Sequence, residues 1–239
     1  MTKINYNSWP IGKIPKQLER PEMQQIKDMG YIWDDPRDII DMFEKKVAEF
    51  SGSKYAVSVD CCSHAIFLSL KYLIYKGEIN SGFTVLIPRR TYISVYMQII
   101  NAGLYVQFDD RQWSGAYQIV DTRVWDASVR WSEGMYIEDS LMCLSFQIKK
   151  RIPIGRGGMI LIDSETAYDW LKLASYDGRD LHTAYTSEDH VRMPGYHMYM
   201  TPEDAARGII LMDYVKEQGD SGDWTKYTDL SEVVKKFNQ

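Results

Sequence analysis

Four side chains have types that could do chemistry and positions that could bring them together: Ser63, Tyr92, Asp126 and Lys150. Each also has an ordinary explanation. Lys150 stands in the basic run IKKR, which reads as solvated surface. Asp126 ends an apolar strand, where a turn aspartate is common. Ser63 opens a helix, a frequent place for an N-cap serine. Tyr92 follows PRRT and could be core. What the four share is position. All fall at or just after the end of a predicted strand, and open α/β sheets bind ligands beyond the carboxyl ends of their strands. That coincidence points to one shared site. Metal chemistry has no comparable support, because His64, His182, His190 and His197 are scattered and Cys61, Cys62 and Cys143 lack the paired spacing of a zinc site. No metal is expected, and the thiols are expected to be reduced.

The elements that must position these residues follow from hydrophobic period. Ile39, Ile40, Phe43, Val47 and Phe50 recur at helical spacing after Asp35-Pro36, and Gly52 stops them. The short β-prone run Tyr55 to Val59 leads into CCSHAIFLSLKYLIYKG, which is helical in period and closes at Gly77. The unit repeats as a strand over 84–88, a helix over about 91–101 and a stop at Gly103. Further strands are predicted at 105–109, 117–121, 123–127, 142–146 and 158–163, and helices over about 164–176 and 202–217. Short, continuously apolar strands alternating with helices imply an α/β fold whose sheet is covered on both faces. The first 35 residues, with Pro10, Pro15 and Pro21, read as an irregular arm ending in a short helix. Residues 36–218 form the main domain, and 219–239 a short polar tail with at most one more helix.

Composition limits the partners. With 239 residues, 45% hydrophobic and 26% charged, the chain can bury one substantial core. A net charge of −5 offers no excess of cations for a phosphate backbone, so nucleic acid is not expected. No apolar run nears the roughly 20 residues that span a bilayer, and the opening MTKINYNSWPIGK has no h-region, so a soluble cytoplasmic protein is expected.

Five collinear segments then carry a specific resemblance: FEKKVAEFSGSKYAVSVDCCSHAIFLSLKYL, VLIPRRTYISVYMQIINAGLYVQFDD, WDASVR, LSFQIKKRIPIGRGGMILID and GYHMYMTPEDAARGIILMDYVKEQ. In order, they resemble the blocks of the DegT/DnrJ/EryC1/StrS sugar-nucleotide aminotransferases over roughly residues 8–218. The resemblance implies the large domain of a pyridoxal phosphate (PLP) fold type I aminotransferase, with a mixed, mostly parallel sheet flanked by helices on both faces. It implies PLP as cofactor, an amino acid as donor (glutamate in most of the family), a nucleotide-linked keto sugar as acceptor (most often a 4-keto-6-deoxy hexose), and a homodimer with shared sites.

The resemblance also implies roles. In LSFQIKK the Schiff-base lysine falls on Lys150, and Ser145, five residues earlier, resembles a hydroxyl ligand of the cofactor phosphate. WDAS resembles the family's Asp-Ala-Ala, so Asp126 would pair with the pyridinium nitrogen and keep it protonated. Cys62 and Ser63 stand at the family's Gly-Thr, where a helix N-terminus and a hydroxyl can cradle phosphate. Tyr92 would stack on the cofactor ring. His197, in GYHMYM, takes the place of the asparagine that reaches a neighbouring subunit's phosphate. Three departures stand out: Val129 where the family has a glutamine, Gln147 where it has a histidine, and the short tail where it has a small C-terminal domain. Related sugar dehydratases carry histidine in place of the lysine, whereas this chain keeps Lys150. A working aminotransferase and a PLP-binding homologue without turnover both remain open at this point.

Overall fold

The computed structural model describes residues 16–182 and 191–238. A 3-10 turn at Lys16–Leu18 leads into α1 (Pro21–Asp28) and α2 (Asp38–Ser51). Alternating elements follow: β1 (Tyr55–Val59), α3 (Cys62–Tyr75), β2 (Thr84–Pro88), α4 (Ile93–Asn101) and β3 (Tyr105–Asp109). Next come β4 (Tyr117–Gln118), β5 (Val124–Asp126), β6 (Leu141–Ser145), β7 (Gly158–Ile162), α5 (Glu165–Ser175), α6 (Pro202–Tyr214) and the short α7 (Leu230–Val234). The described part of the first 35 residues contains the short helix α1, followed by turn and irregular chain up to residue 35. Residues 1–15 and His190 lie outside the described residues.

Five strands pair in the order β1-β7-β6-β5-β4, and β2 pairs with β3. A single antiparallel bridge, Leu86 to Val120, joins the two groups. β5–β6 and β2–β3 are parallel, whereas β7 runs against both β1 and β6, and β4 against β5. The sheet is therefore mixed, with β1, β2, β3, β5 and β6 pointing the same way. Side chains alternate across it, as the two-residue strand period requires. Val57, Val59, Leu141, Cys143, Ile160 and Ile162 pack under α3, α4 and α5. Ala56, Met142, Leu144, Met159 and Leu161 pack under α1, α2 and α6. Helices thus cover both faces, which is why these strands read as unbroken apolar runs.

Gly52 ends α2 in the left-handed region at φ 80°, as its type predicts. The least regular stretch is 117–126. In place of two five-residue strands, the chain turns back at once. Asp121 takes a positive φ of 64°, the Ile119 N–H donates to Val124 O at 2.9 Å, and Thr122 Oγ1 donates to Ile119 O and accepts from the Val124 N–H. β4 and β5 are the arms of this tight hairpin. They are short because the turn consumes the residues between them. No helix among the described residues is long and apolar enough to cross a membrane.

Candidate active site

The strand directions gather the sequence candidates along one edge of the sheet. Val59 pairs with Gly158, Gly158 with Ser145, Cys143 with Asp126, and Asp126 with Tyr117. Hence the ends of β1, β5 and β6 meet the starts of β4 and β7 there. Gly158 makes the closest approach. A Cβ on it would lie 2.4 Å from Cys61 C and 2.5 Å from Cys62 N, so only glycine lets the start of α3 sit directly on this edge.

That start carries no side-chain cap. Cys61 is the N-cap of α3 and Tyr92 that of α4, and neither supplies a side-chain cap, so the leading N–H groups of both helices lack that partner. Ser63 Oγ donates to Ser94 Oγ at 2.7 Å and ties the two helix starts together. Beside them, Asp60 accepts from Arg156 Nη2 at 2.6 Å and lies 2.5 Å from His64 Nδ1. Asp60 hydrogen-bonds the imidazole and raises its pKa to about 10, so His64 is a cation at neutral pH. Asp60, Cys61 and His64 bring potential metal-ligand atoms within 4.8 Å of one another. The guanidinium of Arg156 on Asp60 adds a positive charge beside that cluster.

Asp126 is buried at 4% exposure. Its Oδ2 accepts from the Tyr117 hydroxyl at 2.9 Å and its Oδ1 from the Ser128 N–H at 2.9 Å. Tyr117 is in turn hydrogen-bonded to Thr91 Oγ1. Among the described residues no cation forms an ion pair with Asp126. Lys150 stands in the turn after β6, partly exposed, with its N–H donating to Gln147 O at 2.8 Å and its ammonium in no salt bridge with a described residue. Lys150, Ser145, Ser128 and Val129 line one small cleft. Cys62 lies within electrostatic reach of both Asp126 and Lys150, and burial pushes its thiol well up, with Asp126 adding to the shift. It is a neutral wall of the site, not a nucleophile.

The structure therefore brings Lys150, Asp126, Ser145, Cys62 and Ser63 together. Tyr92 lies at the rim, 59% exposed, where its hydroxyl acts on that of Tyr227. His197 is set apart in its interactions. Its Nδ1 lies 3.1 Å from Asp177, its ring packs edge-on against Tyr199, and among the described residues it makes no hydrogen bond, ion pair or ring contact with the other candidates. The sequence reading missed Thr91, Ser94, Tyr117 and Tyr227. The pairing of Tyr117 with Asp126 depends on the hairpin register, and Tyr227 depends on where the tail returns, so neither had a local signal.

The tail closes one side of this edge. Gly219 N donates to Trp131 O, Ser221 N to Val129 O, and Leu230 N to Arg89 O, while Arg90 Nη1 donates to Tyr227 O at 3.0 Å. Asp220 pairs with Arg130 at 3.0 Å. Trp113 packs between Tyr117 and Tyr227 with its ring tilted against both, and Val129 is buried in the same cluster.

Comparison with known proteins decides the family. The model of the DegT/DnrJ/EryC1/StrS aminotransferase family matches residues 16–119 and 137–223. The chain belongs to the DegT/DnrJ/EryC1/StrS aminotransferase family. The matched segments hold Cys62, Ser63, Tyr92, Ser145, Lys150 and His197, whereas Asp126 and Val129 fall in the unmatched hairpin region between them. The chain is 26% identical to the spore coat polysaccharide biosynthesis protein SpsC of Bacillus subtilis (strain 168), across 80% of this chain and 60% of that protein. It thus spans about three fifths of the length of this relative.

Solved structures share the fold. The sugar aminotransferase CalS13 from Micromonospora echinospora superposes with a TM-score of 0.65 at 15% identity, over 89% of this chain and 67% of its own. GDP-4-keto-6-deoxymannose-3-dehydratase (ColD) with bound GDP-perosamine gives 0.64 at 20%, over 84% and 66%. 3-Amino-5-hydroxybenzoic acid synthase gives 0.62 at 18%, over 90% and 65%. The fold is that of PLP fold type I enzymes.

Proposed function

We propose that this chain holds PLP on Lys150 and transfers an amino group from an amino acid, glutamate in the first instance, to a nucleotide-linked keto sugar, with a 4-keto-6-deoxy hexose as the leading candidate. The observation that carries this reading is the buried Asp126 carboxylate. It is hydrogen-bonded but has no cationic partner among the described residues, and a buried charge in that condition is unfavourable until a cation meets it. A protonated pyridine nitrogen is such a cation, and the free Lys150 ammonium and the two uncapped helix starts offer fitting partners for an aldehyde and a phosphate. The donor set fits the cofactor.

Bound there, PLP would supply an electron-withdrawing ring that makes the Cα proton of an amino acid removable. The rest falls to the protein. Lys150 would hold the cofactor and then, as a free amine partly screened from water, carry the proton at Cα. Asp126 would keep the ring nitrogen protonated. The N–H groups at Cys62 and Ser63, with the Ser63 and Ser145 hydroxyls, would bind the phosphate. Tyr92 would cover the ring from the rim. His197, exposed and apart from the other candidates, suits a contact to the phosphate of a second copy in a homodimer. A role in polysaccharide biosynthesis is supported by the name of SpsC, and sugar transamination by that of CalS13; a cytoplasmic location is part of the same proposal. Another structural neighbour is a GDP-4-keto-6-deoxymannose-3-dehydratase carrying a trapped PLP–glutamate adduct, which supports the donor class.

A second reading, a cofactor-binding homologue without turnover, is favoured by one feature: Val129 offers the cleft no polar group. Absorbance spectroscopy separates the two. The purified protein should develop a visible band with PLP, Lys150→Ala should abolish it, and glutamate should bleach it in the parent protein. A band that glutamate leaves unchanged supports the second reading, and no band at all overturns both.

A further inference from the structure

Asp126 is approached from every side by groups that can donate or stay neutral. Tyr117 reaches it from β4, Cys143 from β6, Cys62 from α3 and Tyr227 from the tail. Among the described residues, only Tyr117 hydrogen-bonds it through a side chain. This contact follows from the hairpin, whose register sets Tyr117 directly opposite Asp126. The arrangement is also directional. A phenol that donates its one proton to Asp126 must accept at its own oxygen, so Thr91 Oγ1 donates to it, and the chain runs Thr91 to Tyr117 to Asp126. Such chains polarise each member and strengthen the last bond. All three residues are buried.

We propose, on the reading that Asp126 faces the cofactor ring, that Tyr117 is a positioning residue: its hydroxyl, backed by Thr91, fixes the plane of the Asp126 carboxylate towards that ring. Several observations support it. Burial pushes the Tyr117 phenol well up, with Asp126 adding to the shift, so the tyrosine is a donor at every working pH. Burial likewise raises the thiols of Cys62 and Cys143, and it raises the Tyr227 phenol to about 12, so none of these competes as a charged neighbour. The ring of Trp113, 4.9 Å from that of Tyr117, and the Trp113 Nε1–H bond to Arg90 O at 2.9 Å hold the phenol in place. With the tail packed on Trp113, the carboxylate's orientation depends on elements distant in sequence.

Tyr117→Phe keeps the ring and removes only the hydroxyl. The variant should bind PLP about tenfold more weakly than the parent, the scale expected for one lost hydrogen bond to a charged group, and in cofactor-free protein the side-chain carboxyl 13C signal of Asp126 at neutral pH should move. Thr91→Val, which leaves the tyrosine intact, should move both in the same direction by less, and it serves as the test if Tyr117→Phe fails to fold. PLP affinity and an Asp126 signal unchanged in the variants overturn the proposal. If the parent protein takes up no PLP, the cofactor reading fails separately, and the cofactor-free Asp126 signal still decides the role of Tyr117.

Discussion

At the scale of single residues, the site is governed by where charge is left unbalanced. Among the described residues, Asp126 and Lys150 each lack an opposite charge in direct contact, whereas Asp60 has two cations on one carboxylate. The His64–Asp60 pair has a measurable signature. Its protonated form is favoured by the fold, so its contribution to stability is fully present below the ordinary histidine value of 6.5 and is lost as pH rises through about 10. Asp60, whose carboxyl is held below its ordinary 3.8 by the hydrogen bonds of His64 and Arg156 against the opposing effect of burial, contributes above that value and loses its contribution in acid. The His64 ring protons should therefore titrate near pH 10, and stability should decline between about pH 6.5 and 10 in the parent protein but not in His64→Gln. A ring midpoint near 6.5 would contradict this.

At the scale of elements, the ion cluster between α2 and α5 ties a helix from each face to the sheet edge. Lys172 Nζ lies 2.8 Å from Glu44 Oε2 and 2.9 Å from Asp41 Oδ1, and Glu44 Oε1 accepts from the N–H and hydroxyl of Ser58 on β1. Glu44 is buried, so removing the lysine leaves a carboxylate without its cation. Lys172→Met should lower unfolding free energy by about 3 kcal/mol in denaturant melts, within the range for breaking a buried pair from one side. A loss below about 1 kcal/mol would place the cluster among weak surface pairs. None of this cluster was legible in the sequence, because its members are about 130 residues apart. Elements set by local period were legible: α2, α3, β1, β2 and β3 fall within a residue or two of the predicted bounds. The 117–126 hairpin was not, since two apolar runs of ordinary strand length say nothing about a turn that consumes their adjoining ends.

At the scale of the whole molecule, the site is assembled from segments that only the fold unites: the starts of α3 and α4, the ends of β5 and β6, and the returning tail. Lys150, Asp126, Ser145 and Ser63 were marked as candidates by collinear blocks in the sequence. Tyr117 and Tyr227 were not, because one is set by cross-strand register and the other by the contacts of residues 219–230 with Arg89, Arg90 and Trp113. The tail, read from sequence as a polar end, is packed into an aromatic cluster beside Asp126. Every part of this account turns on the lysine that the assembly leaves unpaired. The most direct measurement is borohydride reduction of the PLP-incubated protein followed by peptide mass mapping. The account predicts one phosphopyridoxyl group, on Lys150 and not on Lys149. A label on any other lysine, or none, would contradict it.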